Sequence, residues 1–208
     1  MSLDTLLQRA DIWRGGENSR RNTQQSISTG DHPLDAQLPG GGWPLGALTE
    51  LLFEHQGIGE FQLLIPAMAH LSREGRWLVW VAPPHLPYAP ALAGAGMDLS
   101  RLLLVRPRLS KEALWAMEQA LRSGVCGAVL GWPEEADTRT LRRLQLAAEA
   151  GGTMGVLFRP LREKKQPSPA ALRLQLTPSA TGLRIQILKR RGGWTTQPVF
   201  LQRSHAVA

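Results

Sequence analysis

The sequence predicts one α/β domain: a largely parallel sheet with helices on both faces and an antiparallel hairpin near its C-terminal end. Three observations lead there. Predominantly apolar runs of strand length recur at Leu48 to Phe53, Trp77 to Ala82, Leu102 to Val105, Val125 to Gly131 and Met154 to Phe158, as strands covered on both faces require. Helix-like segments separate these runs, the alternation of a parallel sheet with right-handed crossovers. After Pro169 the period changes to two. Leu172, Leu174 and Leu176, then Leu183, Ile185 and Ile187, alternate with polar residues on either side of a turn at Pro178 to Gly182.

Taken in order, Leu3 to Trp13 is an amphipathic helix with Leu3, Leu6, Leu7 and Ala10 on one side, and the polar stretch Arg14 to Gln25 tethers it. Residues 1–27 are thus read as a helix and linker, 28–202 as the domain and 203–208 as a tail. Ser28 to Leu38 is turn-rich and then apolar, and PGGGWPLG (Pro39 to Gly46) is a tight loop. Glu60 to Arg73 is a helix that Pro66 is expected to kink, and Gly75 ends it. Pro83, Pro84 and Pro87 force a loop, and Tyr88 to Ala95 is a short helix. Lys111 to Ser123 is a helix with Ser110 as its N-cap and Gly124 as its stop. Thr138 to Ala150 is another, with Arg139, Arg142 and Arg143 outward and Gly151 and Gly152 ending it. Leu161 to Pro169 is basic, proline-containing and read as mobile. Gln197 to Leu201 adds an edge strand on which Pro198 is tolerable.

The 208 residues, 43% of them hydrophobic, suffice for one domain with a proper core. A single cysteine, Cys126, excludes an internal disulfide framework and fits a reducing, cytoplasmic setting. Asp4, Gln8 and Arg9 break up any opening signal peptide, and no run approaches the length of a membrane span. Five histidines stand without metal-ligand spacing, so no metal is expected. The formal charge of +7 favours an acidic partner, nucleic acid or an acidic protein face.

The stretch FEHQGIGE (Phe53 to Glu60) lies between a strand and a helix, where an α/β nucleotide-binding protein carries its phosphate loop. Gly57 and Gly59 suit such a loop. It also needs a Lys for the phosphates and a Ser or Thr for Mg²⁺, and Glu60 and Phe61 follow instead. A carboxylate repels phosphate and a phenyl ring cannot hold a metal.

Ser28-Thr29-Gly30, Leu34-Asp35, Leu38, Gly41-Gly42, Pro44, Gly46 and Glu50 resemble the opening of RecA-family ATPases. Leu188 to Gly193 (LKRRGG) resembles the family's late basic motif, which in many members reaches the ATP of the next subunit. The resemblance implies a RecA-like fold over about Ser28 to Phe200 with a degenerate phosphate loop. Two further positions depart from it. Pro83 stands where a catalytic Glu should follow its strand, and Trp132 where the Mg²⁺-supporting Asp should end another. Loss of all these groups implies no ATP hydrolysis and no nucleotide cofactor. WLVWVAP (Trp77 to Pro83), LRSGVCGAVLGWP (Leu121 to Pro133) and MGVLFRP (Met154 to Pro160) resemble the SulA/ImuA group. There the resemblance implies one of two interaction proteins. An ImuA-type adaptor of SOS-induced translesion synthesis would bind RecA at a filament end, with ImuB and an error-prone polymerase subunit. A SulA-type cell-division inhibitor would bind FtsZ. The retained opening and the long tail favour the first, and a divergent DNA-dependent ATPase is the remaining alternative.

Candidate contact residues follow. Lys189 and Arg191 form a finger toward a partner's nucleotide. Arg162, Lys164 and Lys165 lie where RecA-family proteins carry a DNA-binding loop, for weak single-stranded DNA contact. Trp43 and Trp194, on glycine-rich loops, are interface candidates. Trp77 and Trp80 are read as core or half-core, and Trp132-Pro133 as a plug in the vacated metal position.

Overall fold

The computed structural model describes residues 25–133, 135–191 and 197–202. The expected N-terminal helix of residues 3–13, the expected tail and Trp194 lie outside them. The main sheet has eight strands: β3 (Ala47–Phe53), β4 (Trp77–Val81), β5 (Leu102–Val105), β6 (Cys126–Gly131), β7 (Met154–Pro160), β8 (Leu172–Ser179), β9 (Gly182–Arg190) and β10 (Val199–Gln202). Their spatial order is β10-β9-β8-β3-β7-β6-β4-β5. From β8 to β5 every pairing is parallel, and β9 and β10 pair antiparallel at one edge. A separate two-stranded ribbon, β1 (Ser26–Ile27) with β2 (Trp43–Pro44), carries the opening segment.

The strands carry apolar side chains on both faces, so each face needs its own cover. On one side, Leu51, Leu78, Trp80 and Leu130 meet α2 (Ile65–Arg73), α3 (Ala89–Gly94) and the opening segment with its short α1 (His32–Asp35). On the other, Leu48, Val79, Val129 and Leu157 meet Ala113, Met117 and Leu121 of α4 (Ser110–Arg122) and Leu141 and Leu144 of α5 (Thr138–Gly151). The expected mixed α/β architecture with its C-terminal hairpin and edge strand is therefore present.

Several local expectations are corrected. Pro66 does not kink a long helix: a 3₁₀ turn, Gln62–Leu64, comes first, and Pro66 then stands in the first turn of α2, where its missing N–H has no intrahelical partner to lose. Ser110 is the first helical residue, not the cap. The end is closed by Glu112, whose Oε2 accepts from the Arg108 and Leu109 amides at 3.2 Å each. The segment after β7 is no mobile loop. Leu161–Lys165 is a 3₁₀ turn anchored by the buried Glu163.

The anchor belongs to a buried ionic cluster. Glu50, fully buried on the central strand β3, accepts from Arg159 Nη1 of β7 at 2.8 Å and from Arg173 Nε of β8. Arg159 Nη2 also donates to Glu163 Oε2 and to the Ala136 carbonyl, both at 2.9 Å. Arg173 reaches the carbonyls of Glu163 and Gln166. Two carboxylates and two guanidiniums thus balance inside the sheet and bind its parallel half to the hairpin.

The opening segment folds on itself. Asp35 accepts from Ser28 Oγ at 2.6 Å and from the Thr29 amide at 2.9 Å, and Asp31 caps α1 through the Leu34 amide. A Cβ on Gly42 would lie 2.1 Å from the Ile27 carbonyl oxygen, so the ribbon β1–β2 closes only over glycine.

Glu50→Ala leaves Arg159 and Arg173 buried without their shared counter-charge. It is expected to cost about 3–5 kcal/mol, read by urea denaturation at neutral pH. A loss below about 1 kcal/mol would mean that water reaches the cluster and that it does not hold the hairpin.

Candidate functional site

In a parallel sheet the crevice at the carboxyl ends of the strands is where ligands and partners are met. Here part of that end is mostly apolar. A cavity of about 520 Å³ opens there, walled by Phe61, Ile65, Trp80, Trp132 and Phe158 and bordered by the run Pro83 to Tyr88. Phe61 meets Trp80 edge-on at 4.8 Å, and Trp132 stacks flat on Phe158 at 4.4 Å and 2°. On the border, Leu86 is 66% and Tyr88 73% exposed, the largest exposures among the large apolar side chains of the described residues.

The border is set by the backbone. Ala82, next after β4, has φ +54°, the one positive φ among the described non-glycine residues. Its amide donates to the Val105 carbonyl at 2.9 Å, which fixes the exit from the strand. Pro83, Pro84 and Pro87 then restrict the backbone of a segment that bends at Pro84 and His85, and Leu86 and Tyr88 stand exposed on it. Strain of this kind persists where surrounding structure over-determines it, often at a working surface.

The glycine loop forms the opposite wall. Gly57 has φ +81° and Gly59 φ +102°, conformations that suit glycine. The Gly57 amide donates to Glu60 Oε1 at 3.0 Å. A backbone donor of the loop is thus satisfied by the loop's own carboxylate. Pro83 and Trp132, expected at two emptied catalytic positions, do border the same cavity. Trp132 fills space against Phe158.

Other expected contact residues do not converge on it. Trp43 is fully buried in the core behind the ribbon, so it is no interface anchor; the loop carrying it is packed down by Gly42. Lys189 Nζ donates to the Ser168 carbonyl at 2.7 Å, and Arg191 Nη2 to Glu149 Oε1 at 3.0 Å. Burial first, then the like charges of Arg173 and Arg191, hold the Lys189 amine below its ordinary value, against the pull of Glu50. Both cations of the expected finger are therefore engaged within their own chain. Lys164 donates to Gln175 at 2.8 Å and Arg162 lies 3.6 Å from Glu163, while Lys165 is exposed. Trp80 is core; Trp77 is partly exposed with Arg101 over its ring at 5.5 Å. On α5, Arg139 and Arg142 are exposed, but Arg143 pairs with Glu118 of α4.

The sequence reading missed the roles of Ala82, Leu86 and Tyr88. A signal was present: apolar residues interleaved with three prolines in a loop have no core to enter. Among the described residues, no three His, Cys, Asp or Glu gather as a metal site, and no helix is long and apolar enough to cross a membrane.

Comparison with known proteins gives consistent results. Residues 46–155 match the family model described as cell division inhibitor SulA. Cell division inhibitor SulA of Yersinia pestis (strain Pestoides F) is 30% identical over 151 residues, 73% of this chain and 88% of that protein. The same figures hold for SulA of Yersinia pseudotuberculosis serotype O:1b (strain IP 31758). The crystal structure of SulA from Pseudomonas aeruginosa is 29% identical and covers 54% of this chain and 97% of its own, with a TM-score of 0.45. The division-inhibitor side of the resemblance is the one supported. The expectation of RecA, ImuB and an error-prone polymerase subunit as partners, with single-stranded DNA, is overturned by these matches. The residues offered for it, Lys189 and Arg191 above all, are spent on contacts within the chain.

If Ala82 is held against its preference, Ala82→Gly should raise stability by up to about 1 kcal/mol, and Ala82→Val should lower it by about 1 kcal/mol or more. Thermal unfolding of the two variants checks this. A Gly variant less stable than the parent would mean that the position carries no strain.

Proposed function

The chain belongs to the SulA family of cell division inhibitors, and from that premise we propose that it stops division in the SOS response by binding the tubulin-like division protein FtsZ. The carrying observation is the apolar end of the sheet, with Leu86 and Tyr88 displayed on a proline-stiffened segment over an aromatic-walled cavity. A protein that assembles head to tail grows through a heterologous contact, and a binder that covers one of the two contact surfaces withdraws subunits stoichiometrically. Such inhibition needs a rigid, partly desolvated anchor patch and no chemical step. Exposed aromatic and aliphatic anchors of low conformational freedom supply most of the affinity at protein interfaces.

The same surface accounts for the loss of nucleotide chemistry. We read the loop after β3 as the phosphate-binding position of a RecA-like sheet turned to packing. The Gly57 amide, which would face a phosphate, is occupied by Glu60, and Phe61 lies against Trp80 where a metal-binding hydroxyl would stand. Trp132 and Pro83 border the cavity in place of acidic side chains. Mg-ATP is accordingly expected to leave the melting temperature unchanged, because only a ligand of the folded state shifts it. A dose-dependent rise would show that nucleotide still binds.

The decisive test is sedimentation of GTP-driven FtsZ polymer with increasing amounts of this protein. Near-stoichiometric loss of polymer is expected. Leu86→Ser combined with Tyr88→Ala should require at least tenfold more protein, about 1.4 kcal/mol of binding energy, while its melting temperature stays close to the parent's because both side chains are exposed. Polymer unaffected by excess parent protein would refute the reading. A fully active double variant would move the contact to another face.

A further inference from the structure

The cavity at the carboxyl end of the sheet contains a carboxylate with one oxygen left without a hydrogen-bond partner. Glu60 is 8% exposed. One carboxylate oxygen, Oε1, accepts from the Gly57 amide at 3.0 Å, and the other, Oε2, is buried without a hydrogen-bond partner. Among the described residues no Lys or Arg lines the cavity, and His85, on its border, is its one basic side chain. The wall around Glu60 is aromatic, with Phe61 and Trp80 as one edge-to-face pair and Trp132 and Phe158 as one stacked pair. A carboxylate out of water and without a counter-charge is costly. Ring faces attract organic cations, above all when water is excluded. Carboxylate and rings together are the two elements of a cation cage, and they occur here on a chain whose overall charge is +7.

We propose that this cavity receives a guanidinium or ammonium side chain of the partner protein, with Glu60 as its counter-charge and the Phe61, Trp80 and Trp132 rings as its walls. The identity of that partner rests on the FtsZ reading; the cation preference of the pocket does not. On binding, the Glu60 carboxylate turns so that Oε2, which has no accessible surface in the free protein, meets the entering donor, and the aliphatic stem lies along Leu86 and Tyr88. The exposed border residues then supply apolar contact, and Glu60 supplies selectivity. A partner with a neutral or acidic side chain at that point would leave the carboxylate unpaired, which discriminates more strongly than any loss of apolar contact.

Two measurements test this. In the first, tryptophan fluorescence follows a titration with n-butylguanidinium chloride at constant ionic strength, beside its neutral analogue n-butylurea. Saturable quenching by the cation and none by the urea is expected, with at least fivefold weaker binding in Glu60→Gln. The Gln variant keeps an oxygen for the Gly57 amide, and its melting temperature should be no lower than the parent's. Should it fail to fold, Phe61→Leu removes one ring from the cage and is expected to weaken the cation alone. Equal response to both compounds, or none, or a cation affinity unchanged in these variants, overturns the pocket. In the second, FtsZ binding is compared between the parent and Glu60→Gln, and a loss of at least tenfold is expected. If the parent itself does not bind FtsZ, the functional reading fails while the titration still decides the pocket. If the parent binds FtsZ and Glu60→Gln binds equally well, a partner side chain is overturned as the occupant, and a pocket that still takes the cation serves a free amine.

Discussion

Glu50 sits at the middle of the central strand with no access to water, and the rest of the molecule is arranged so that it can be there. Its two oxygens receive one guanidinium from the strand on each side, Arg159 of β7 and Arg173 of β8. Each guanidinium is then satisfied further, by Glu163, by the Ala136 carbonyl and by the carbonyls of the 3₁₀ turn. An apolar cluster of the same volume could be as stable, since ion pairs lose their hydration when buried. The ionic cluster adds register. A one-residue slip of β8 on β3 would carry Arg173 to the opposite face of the sheet and leave Glu50 unpaired. The antiparallel hairpin is thereby fixed to a parallel sheet that has no loop-length constraint of its own to hold it.

With the centre of the sheet fixed, its carboxyl end can carry local strain. The left-handed Ala82, the three prolines after it and the two aromatic pairs of the cavity wall depend on a rigid strand exit at β4. The resulting surface shows apolar groups to solvent, which folding alone does not favour.

The basic residues give the opposite lesson. A charge of +7 and three separate basic clusters suggested nucleic acid or an acidic protein face. In the folded chain many of the clustered cations meet acids or carbonyls of their own chain, which leaves the net charge of +7 as it was. Arg159 and Arg173 neutralise Glu50 and Glu163, Arg143 and Arg122 share Glu118, Arg191 meets Glu149, and Lys189 and Lys164 cap carbonyl and amide oxygens. Cations spaced irregularly along a sequence carry no sign of which acids they will meet, because the partners lie up to 123 residues away. The opening motif was misjudged for a related reason. Its Ser28, Thr29, Asp35 and Gly42 form a local hydrogen-bonded turn and a tight ribbon, so its pattern reports packing as much as any activity.

By itself the sequence determined the class of sheet, the order of strands and helices, and the hairpin and its edge strand. Those properties follow from periodicity and from residue chemistry at single positions, both of which are local. Only the tertiary structure decided that Trp43 is core, that the segment after β7 is anchored, that Lys189 and Arg191 face their own chain, and that Leu86 and Tyr88, beyond the left-handed Ala82, border a cavity in which one Glu60 oxygen has no partner. Each of these depends on which distant groups fill, neutralise or leave empty the space around a side chain, and the linear order of residues does not specify that space.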